Sequence, residues 1–275
     1  MTKPKILITG AAGRIGQALT QYLTNQYDLV LTDLRQPRLL HGHPYFEGDI
    51  SNLNEMRVIC QGIGTVIHLA GNPDTEASLE NLLSSNIIGV NNIFQAAYEA
   101  GCQRIIYASS VNAVLGYPDD IQIQADMPVR PSNLYGATKV WGETVARYYA
   151  DQKNLSCICL RFGAVRHHED RYFNLGNPLL DRMITYRDLV KLIKAGIEAP
   201  IDLKFGIFFG TSDNPWNRFD ITDARKGLGY EPEDDAYKIA VVHTRKPWIH
   251  IWRRILKRFN KILVRLGIRK QMELL

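Results

Sequence analysis

The sequence predicts an α/β protein: a doubly wound parallel sheet, a small C-terminal cap, and a basic amphipathic C-terminal helix. Three observations carry this expectation. Short apolar runs alternate with helix-period stretches from Lys5 to Phe162. The runs are almost continuously apolar, as strands buried on both faces must be. A glycine-rich turn from Gly10 to Gly16 joins the first strand pattern to the first helix pattern.

The elements follow in order. Lys5–Thr9 (KILIT) reads as a buried strand and 14–25 as a helix. Residues 29–33 and 45–47 are the second and third strands. Ser51 is placed to cap a short helix reaching about Cys60. Residues 65–69 form a fourth strand, a long helix runs over 78–99, and 104–109 form a fifth strand. Ser132 or Asn133 caps a helix to about Asp151, and 157–162 are the sixth strand. After Gly163 the alternation loosens. A helix over 186–195, a strand over 204–210 and a short helix from Thr222 are expected to make the cap, spanning about 163–236. One domain over 1–240 and a tail over 241–275 complete the expected organisation.

Composition narrows the class. The 275 residues are 45% hydrophobic and 22% charged, near globular averages, which excludes a disordered or collagen-like chain. Four cysteines, Cys60, Cys102, Cys157 and Cys159, are too few for a disulfide framework and read as buried free thiols. The strand pattern begins at Lys5 with no leader pattern before it, and no run is apolar and long enough to span a membrane. A cytoplasmic protein is expected. The net charge of +5 is unevenly spread: residues 241–275 carry +9 and the rest −4.

The glycine turn is spaced G-x-x-G-x-x-G: Gly10, Gly13, Arg14, Ile15 and Gly16 lie between strand and helix. Such a turn lets backbone approach a pyrophosphate, and the uncapped N–H groups of the helix face the anion. Asp33 ends the second strand, where a carboxylate bonds a ribose diol and repels a 2′-phosphate. The pattern implies a Rossmann-type dinucleotide site that prefers NAD to NADP. Asp49 and Ile50 follow the third strand, where they either meet the adenine or, for Asp49, serve as a helix-entry acid.

Tyr135 and Lys139 stand at i and i+4 of one predicted helix and share a face. A nearby ammonium is expected to lower the tyrosine pKa, so that Tyr135 can take a substrate hydroxyl proton. Lys139 is also placed to hold the nicotinamide ribose. Ser110, at the end of the fifth strand, adds a hydroxyl at the same spot.

With these motifs in this order, the chain resembles the extended short-chain dehydrogenases/reductases of the NAD-dependent epimerase/dehydratase family. The matching stretches are TGAAGRIG at 9–16, Asp33, Gly48-Asp49, HLAG at 68–71, NIIG at 86–89, ASS at 108–110, YGATK at 135–139, Arg161 and ITDARKGLGYEPED at 221–234. Together they cover about residues 4–236. Within the family the chain looks most similar to uronate dehydrogenases and to archaeal enzymes that oxidise glucose 6-phosphate with NAD. The resemblance implies Ser110, Tyr135 and Lys139 as the catalytic trio. It implies Gly10, Gly13, Gly16, Asp33, Asp49, Ile50, Leu69, Ala70 and Gly71 around NAD.

Departures from the family pattern fall on the substrate side. Val111 stands where uronate dehydrogenases carry a polar residue, and the serine that follows their H-L-x-G motif falls near Asp74. Asn112, Arg166, Arg171 and Arg182 remain as further substrate contacts, the arginines as alternative grips for an anionic group. The adjacent His167 and His168 have no partner spacing for a metal, and none is expected. The expected reaction is oxidation of a sugar hydroxyl, a uronate or sugar phosphate at C1, to a lactone. An epimerase or dehydratase that returns the hydride, and a non-catalytic NAD-binding protein tethered by its tail, are the alternatives.

The tail sets Trp248, Ile249, Ile251, Trp252, Ile255, Leu256, Phe259, Ile262, Leu263 and Leu266 on one helical arc and Arg253, Arg254, Lys257, Arg258, Lys261 and Arg265 opposite. That pattern fits residues 247–266 lying on an anionic membrane surface, peripheral to the inner membrane. Docking on the same chain or on a second copy in a homo-oligomer is the competing role. Aromatic residues facing away from the charges argue against nucleic acid.

Overall fold

The structure, a computed structural model, describes residues 3–245. The expected tail helix over 247–266 lies outside the described residues. Among those described, nine strands form in chain order: β1 (Lys5–Thr9), β2 (Asp28–Asp33), β3 (Tyr45–Glu47), β4 (Thr65–His68), β5 (Arg104–Ser110), β6 (Ser156–Phe162), β7 (Ala164–Arg166), β8 (Met183–Thr185) and β9 (Phe205–Gly210). Seven make one parallel sheet in the order β3-β2-β1-β4-β5-β6-β9, and β7 pairs with β8 apart from it.

Strand alternation divides the core between the two faces of the sheet. Ile6, Ile8, Leu29, Leu31, Ile106 and Ile158 pack with α1 (Arg14–Leu23) and α6 (Tyr186–Glu198). Leu7, Val30, Val66, Ile105, Cys157 and Cys159 pack with three other helices, α2 (Leu53–Ile59), α4 (Val90–Glu99) and α5 (Leu134–Lys153). All four cysteines are free and buried, as expected.

The chain starts in mid-sheet. β1 pairs with β2 on one side and with β4 on the other, so strand order reverses there, the place where sheets of this kind bind ligands outside the carboxyl ends of their strands. Thr9, Asp33, His68, Ser110 and Phe162 all end their strands on that side.

Three expectations need correction, and one pair of strands went unread. The strand expected in the cap, now β9, joins the main sheet beside β6, with Cys157 opposite Phe205 and Phe162 opposite Gly210. Its physical reason is the free edge of β6: the helix α6 crosses back over the sheet and delivers β9 parallel to it. What remains of the cap is β7, β8, α8 (Ala236–Arg245) and a small core of Phe173, Leu180, Met183, Ala236 and Ala240. Second, Asn52 rather than Ser51 caps α2, its carboxamide oxygen accepting from the N–H of Asn54 and Glu55. Third, the helix at 78–99 is not uniform. Ser78 caps α3 (Leu79–Leu82), a π-helical segment follows at Leu83–Gly89, and α4 continues from Val90. The unread pair, β7 and β8, three residues each, were too short for a periodic signal. The short helix from Thr222 is present as α7 (Thr222–Leu228).

Candidate active site

The glycine turn is shaped by the residues it touches. Gly10 sits at φ +70°, the left-handed region, and a Cβ there would fall 2.7 Å from the Ala70 nitrogen. A Cβ on Gly16 would lie 2.4 Å from the Gly10 carbonyl oxygen. The turn is thus pressed against Leu69 and Ala70 at the end of β4. Gly13 precedes α1 without a side-chain cap, so the first N–H groups of the helix keep their capacity for an anion. Asp33 reaches across from β2, its Oδ2 accepting the Ala12 N–H at 2.9 Å. A carboxylate pinned beside an uncapped helix start fits a ribose and a pyrophosphate on adjacent groups.

Other predicted cofactor residues are held by this frame. Asp49 accepts the Ser51 N–H at 2.8 Å, as a helix-entry acid does. Ile50 is buried against Gly89, and its carbonyl accepts from Asn92 at 3.1 Å. After Gly71 the chain is fastened by Asn86: its Oδ1 accepts the Asn72 N–H at 2.7 Å and its Nδ2 donates to Thr138 at 3.2 Å. Asn86 lies in the π-helical segment.

The Ser110, Tyr135 and Lys139 side chains meet at the carboxyl end of β5. Asn133 caps α5, its Oδ1 accepting the Gly136 N–H at 2.7 Å. A Cβ on Gly136 would stand 2.3 Å from the Asn112 carbonyl oxygen, so the helix start lies directly on the segment after β5. Ser110 shares a hydrogen bond with the Tyr135 hydroxyl. Its Oγ accepts from the Asn112 backbone at 3.2 Å and side chain at 3.0 Å. Lys139 Nζ lies 5.5 Å from the Tyr135 ring centre and donates to the Ala108 carbonyl at 2.8 Å.

Electrostatics differ from the expectation in one respect. Burial pushes the Tyr135 pKa up, and the Ser110 hydrogen bond pulls it back only in part. The ammonium meant to lower it is engaged with the Ala108 carbonyl, and burial sets the direction of the shift. Burial also pulls Lys139 down to about 8, opposed by the Glu143 carboxylate. His68, 1% exposed, is pulled down to about 3 by burial and then by Lys139, and is neutral.

Sequence reasoning missed the residues behind this trio. Glu143 Oε1 accepts from Ser109 at 2.6 Å and from Arg161 Nε at 2.8 Å, and its Oε2 accepts from Arg161 Nη2 at 2.8 Å. A signal was present, because Glu143 is one turn beyond Lys139 on the same helix face.

The substrate-side residues separate. Asn112 joins the trio. Arg166 lies on β7, stacked 4.6 Å from the Tyr172 ring centre, and it acts electrostatically on Tyr186 together with Arg14 of the glycine turn. The Arg166 Nε is buried and has no hydrogen-bond partner among the described residues. Arg182 is paired with Asp181 through 2.9 and 3.3 Å contacts. Arg171 is exposed over Tyr172, and Asp74 is exposed in the loop after Gly71, where its carboxylate accepts the Glu76 N–H.

Comparison with known proteins places the chain in a family. The family model described as "NAD dependent epimerase/dehydratase family" matches residues 6–169. The chain is 34% identical over 250 residues to the NAD-dependent glucose-6-phosphate dehydrogenase of Haloferax volcanii, covering 84% of this chain and 94% of that protein. It is 32% identical to the uronate dehydrogenase of Pseudomonas putida, covering 84% and 85%. The crystal structure of uronate dehydrogenase from Agrobacterium tumefaciens superposes with a TM-score of 0.78 at 30% identity, over 89% of this chain and 88% of that one. With its glycine turn, strand-end aspartate and Ser-Tyr-Lys cluster at the carboxyl ends of one sheet, the chain belongs to the NAD-dependent epimerase/dehydratase family of extended short-chain dehydrogenases/reductases.

Proposed function

We propose that the protein oxidises the C1 hydroxyl of an anionic pyranose, a uronate or a sugar phosphate, to the lactone. NAD is the cofactor of this dehydrogenase family, and when bound it accepts the hydride leaving C1. Gly10, Gly13 and Gly16 with Asp33 would hold it. Tyr135 takes the C1 hydroxyl proton, Ser110 orients that hydroxyl, and Lys139 holds the nicotinamide ribose. Loss of the proton and the hydride together turns the hemiacetal carbon into the lactone carbonyl.

The observation that supports an anionic substrate is the orphaned Nε of Arg166. A buried guanidinium nitrogen without an acceptor is costly, and a carboxylate or phosphate oxygen satisfies it with a charge-assisted bond. The relatives that act on a uronate and on glucose 6-phosphate support the same choice.

The test is NADH absorbance with glucuronate, galacturonate, glucose 6-phosphate and neutral aldoses. Anionic sugars are expected to give NADH, and Arg166→Met to raise their KM by roughly tenfold or more, the value of a lost charge-assisted bond. Product change without net NADH would mean an epimerase, and silence across the panel would remove the proposal. The amphipathic pattern of 247–266 further supports attachment of the enzyme to anionic membrane. Sedimentation with phosphatidylserine vesicles, and not with phosphatidylcholine alone, is the expected outcome. Loss of that difference in a chain ending at residue 245 would assign it to the tail.

A further inference from the structure

We propose that Glu143 is a positioning residue: it ties α5 and β5, which carry the reacting groups, to each other and to β6, and supplies the buried negative charge that keeps Lys139 protonated. This rests on Tyr135 and Lys139 being the reacting pair.

The geometry puts one carboxylate in contact with three elements. Glu143 belongs to α5, the helix of Tyr135 and Lys139. Through Ser109 at 2.6 Å it holds β5, between Ala108, whose carbonyl takes the Lys139 ammonium, and Ser110. Through the two 2.8 Å bonds of Arg161 it holds β6. Glu143 is 4% exposed, Arg161 1% and Lys139 6%, so little water screens the three charges.

The charge count gives the carboxylate a second task. Two cations, Lys139 and Arg161, share one buried anion. Lys139 otherwise faces Tyr107 and the Ala108 carbonyl from β5, neutral His68 from β4, and Tyr135 from its own helix. None of these carries a negative charge when protonated or neutral. Glu143 is therefore the carboxylate that opposes desolvation of the ammonium. An arginine cannot give up its proton, so Lys139 is the group that responds when the anion is lost.

The test reads Lys139 directly, without substrate or cofactor. The protein is labelled with 13C at the lysine ε-carbons, and the Lys139 signal is the one lost in Lys139→Met. The titration midpoint of Lys139 in Glu143→Gln is expected to fall by about one unit or more, a tenfold loss of proton affinity. In Ser109→Ala, which keeps the ion pair, it is expected to stay where it is. A merely structural Glu143 would lower thermal stability and leave the midpoint unmoved; that result in folded Glu143→Gln overturns the proposal. Should that variant not fold, Glu143→Gln/Arg161→Gln leaves no orphaned guanidinium, and a smaller fall in the same direction is expected. An unmoved midpoint there overturns the proposal equally. Sugar oxidation plays no part in this readout, so an enzyme that titrates as stated but produces no NADH refutes only the substrate assignment.

Discussion

Two buried arginines on neighbouring strands show how differently the two ends of the sheet are built. Arg104 opens β5 at the amino end, where its guanidinium donates to Ser156 and to the carbonyls of Gly196, Ile197, Ala199 and Pro200, all within 3.2 Å. No carboxylate is among these partners. The charge is spread over carbonyls in the last turn of α6 and the two residues after it, the negative end of a helix. Burial pulls the Arg104 pKa below its ordinary value. Arg161, on β6 toward the carboxyl end, meets a full carboxylate and shares it with Lys139. At the amino end a buried cation is a fastening. At the carboxyl end it is part of a balance that sets whether another group is charged.

Changes at the carboxyl end should alter rates and pH responses, and changes at the amino end should alter stability alone. The largest effect is expected from Tyr135→Phe. Removing a general base costs roughly 100- to 10,000-fold in kcat, with little change in melting temperature. A variant that kept full activity would remove the distinction between the ends.

Acid is the second probe. His68 titrates at about 3 in the fold and near 6.5 in the unfolded chain. Its folded pKa is depressed, so the stability it contributes is present above pH 6.5 and is lost as pH falls toward 3. Integrated over that window, the loss is about 4 kcal/mol. Denaturant unfolding at several pH values should show this slope in the wild type and a flatter one in His68→Gln. Equal slopes would mean that the carboxyl end is no more pH-sensitive than the rest.

The smallest effect sharpens the contrast. Arg104→Met should cost about 1–3 kcal/mol of stability, because buried carbonyls lose their donors. Its kcat per folded molecule should match the wild type. A change in kcat at a temperature where the variant is fully folded would break the division.

Legibility followed the same line. Five of the first six strands were readable because each is built on a nearly continuous apolar run, and the glycine turn and Y-x-x-x-K pair because local spacing alone defines them. β9 was misplaced because its affiliation depends on a free edge presented by β6, which no local pattern reports. The direction of the Tyr135 shift was misjudged for a related reason. Spacing puts Lys139 beside the ring, while desolvation depends on everything packed around it. Glu143 went unnoticed although its position was regular, since a charged residue on a helix reads as solvated until its partner Arg161 arrives from another strand.

The π-helical segment at Leu83–Gly89 has a consequence for insertions and deletions. Wide turns hold a residue more than α-helical ones over the same rise, and successive residues of a helix are set about 100° apart. Deleting one residue there would let the ladder close as ordinary α-helix. The wide turn has absorbed the extra residue, so the helix on either side would stay in phase, while residues inside the segment, Asn86 among them, would shift around its axis. Asn86 could no longer reach both Asn72 and Thr138, and the loop beyond Gly71 would lose its fastening to α5. A single-residue deletion in this helix, whose Asn86 reaches Thr138 beside Lys139, would thus disturb the site more thoroughly than many substitutions within it.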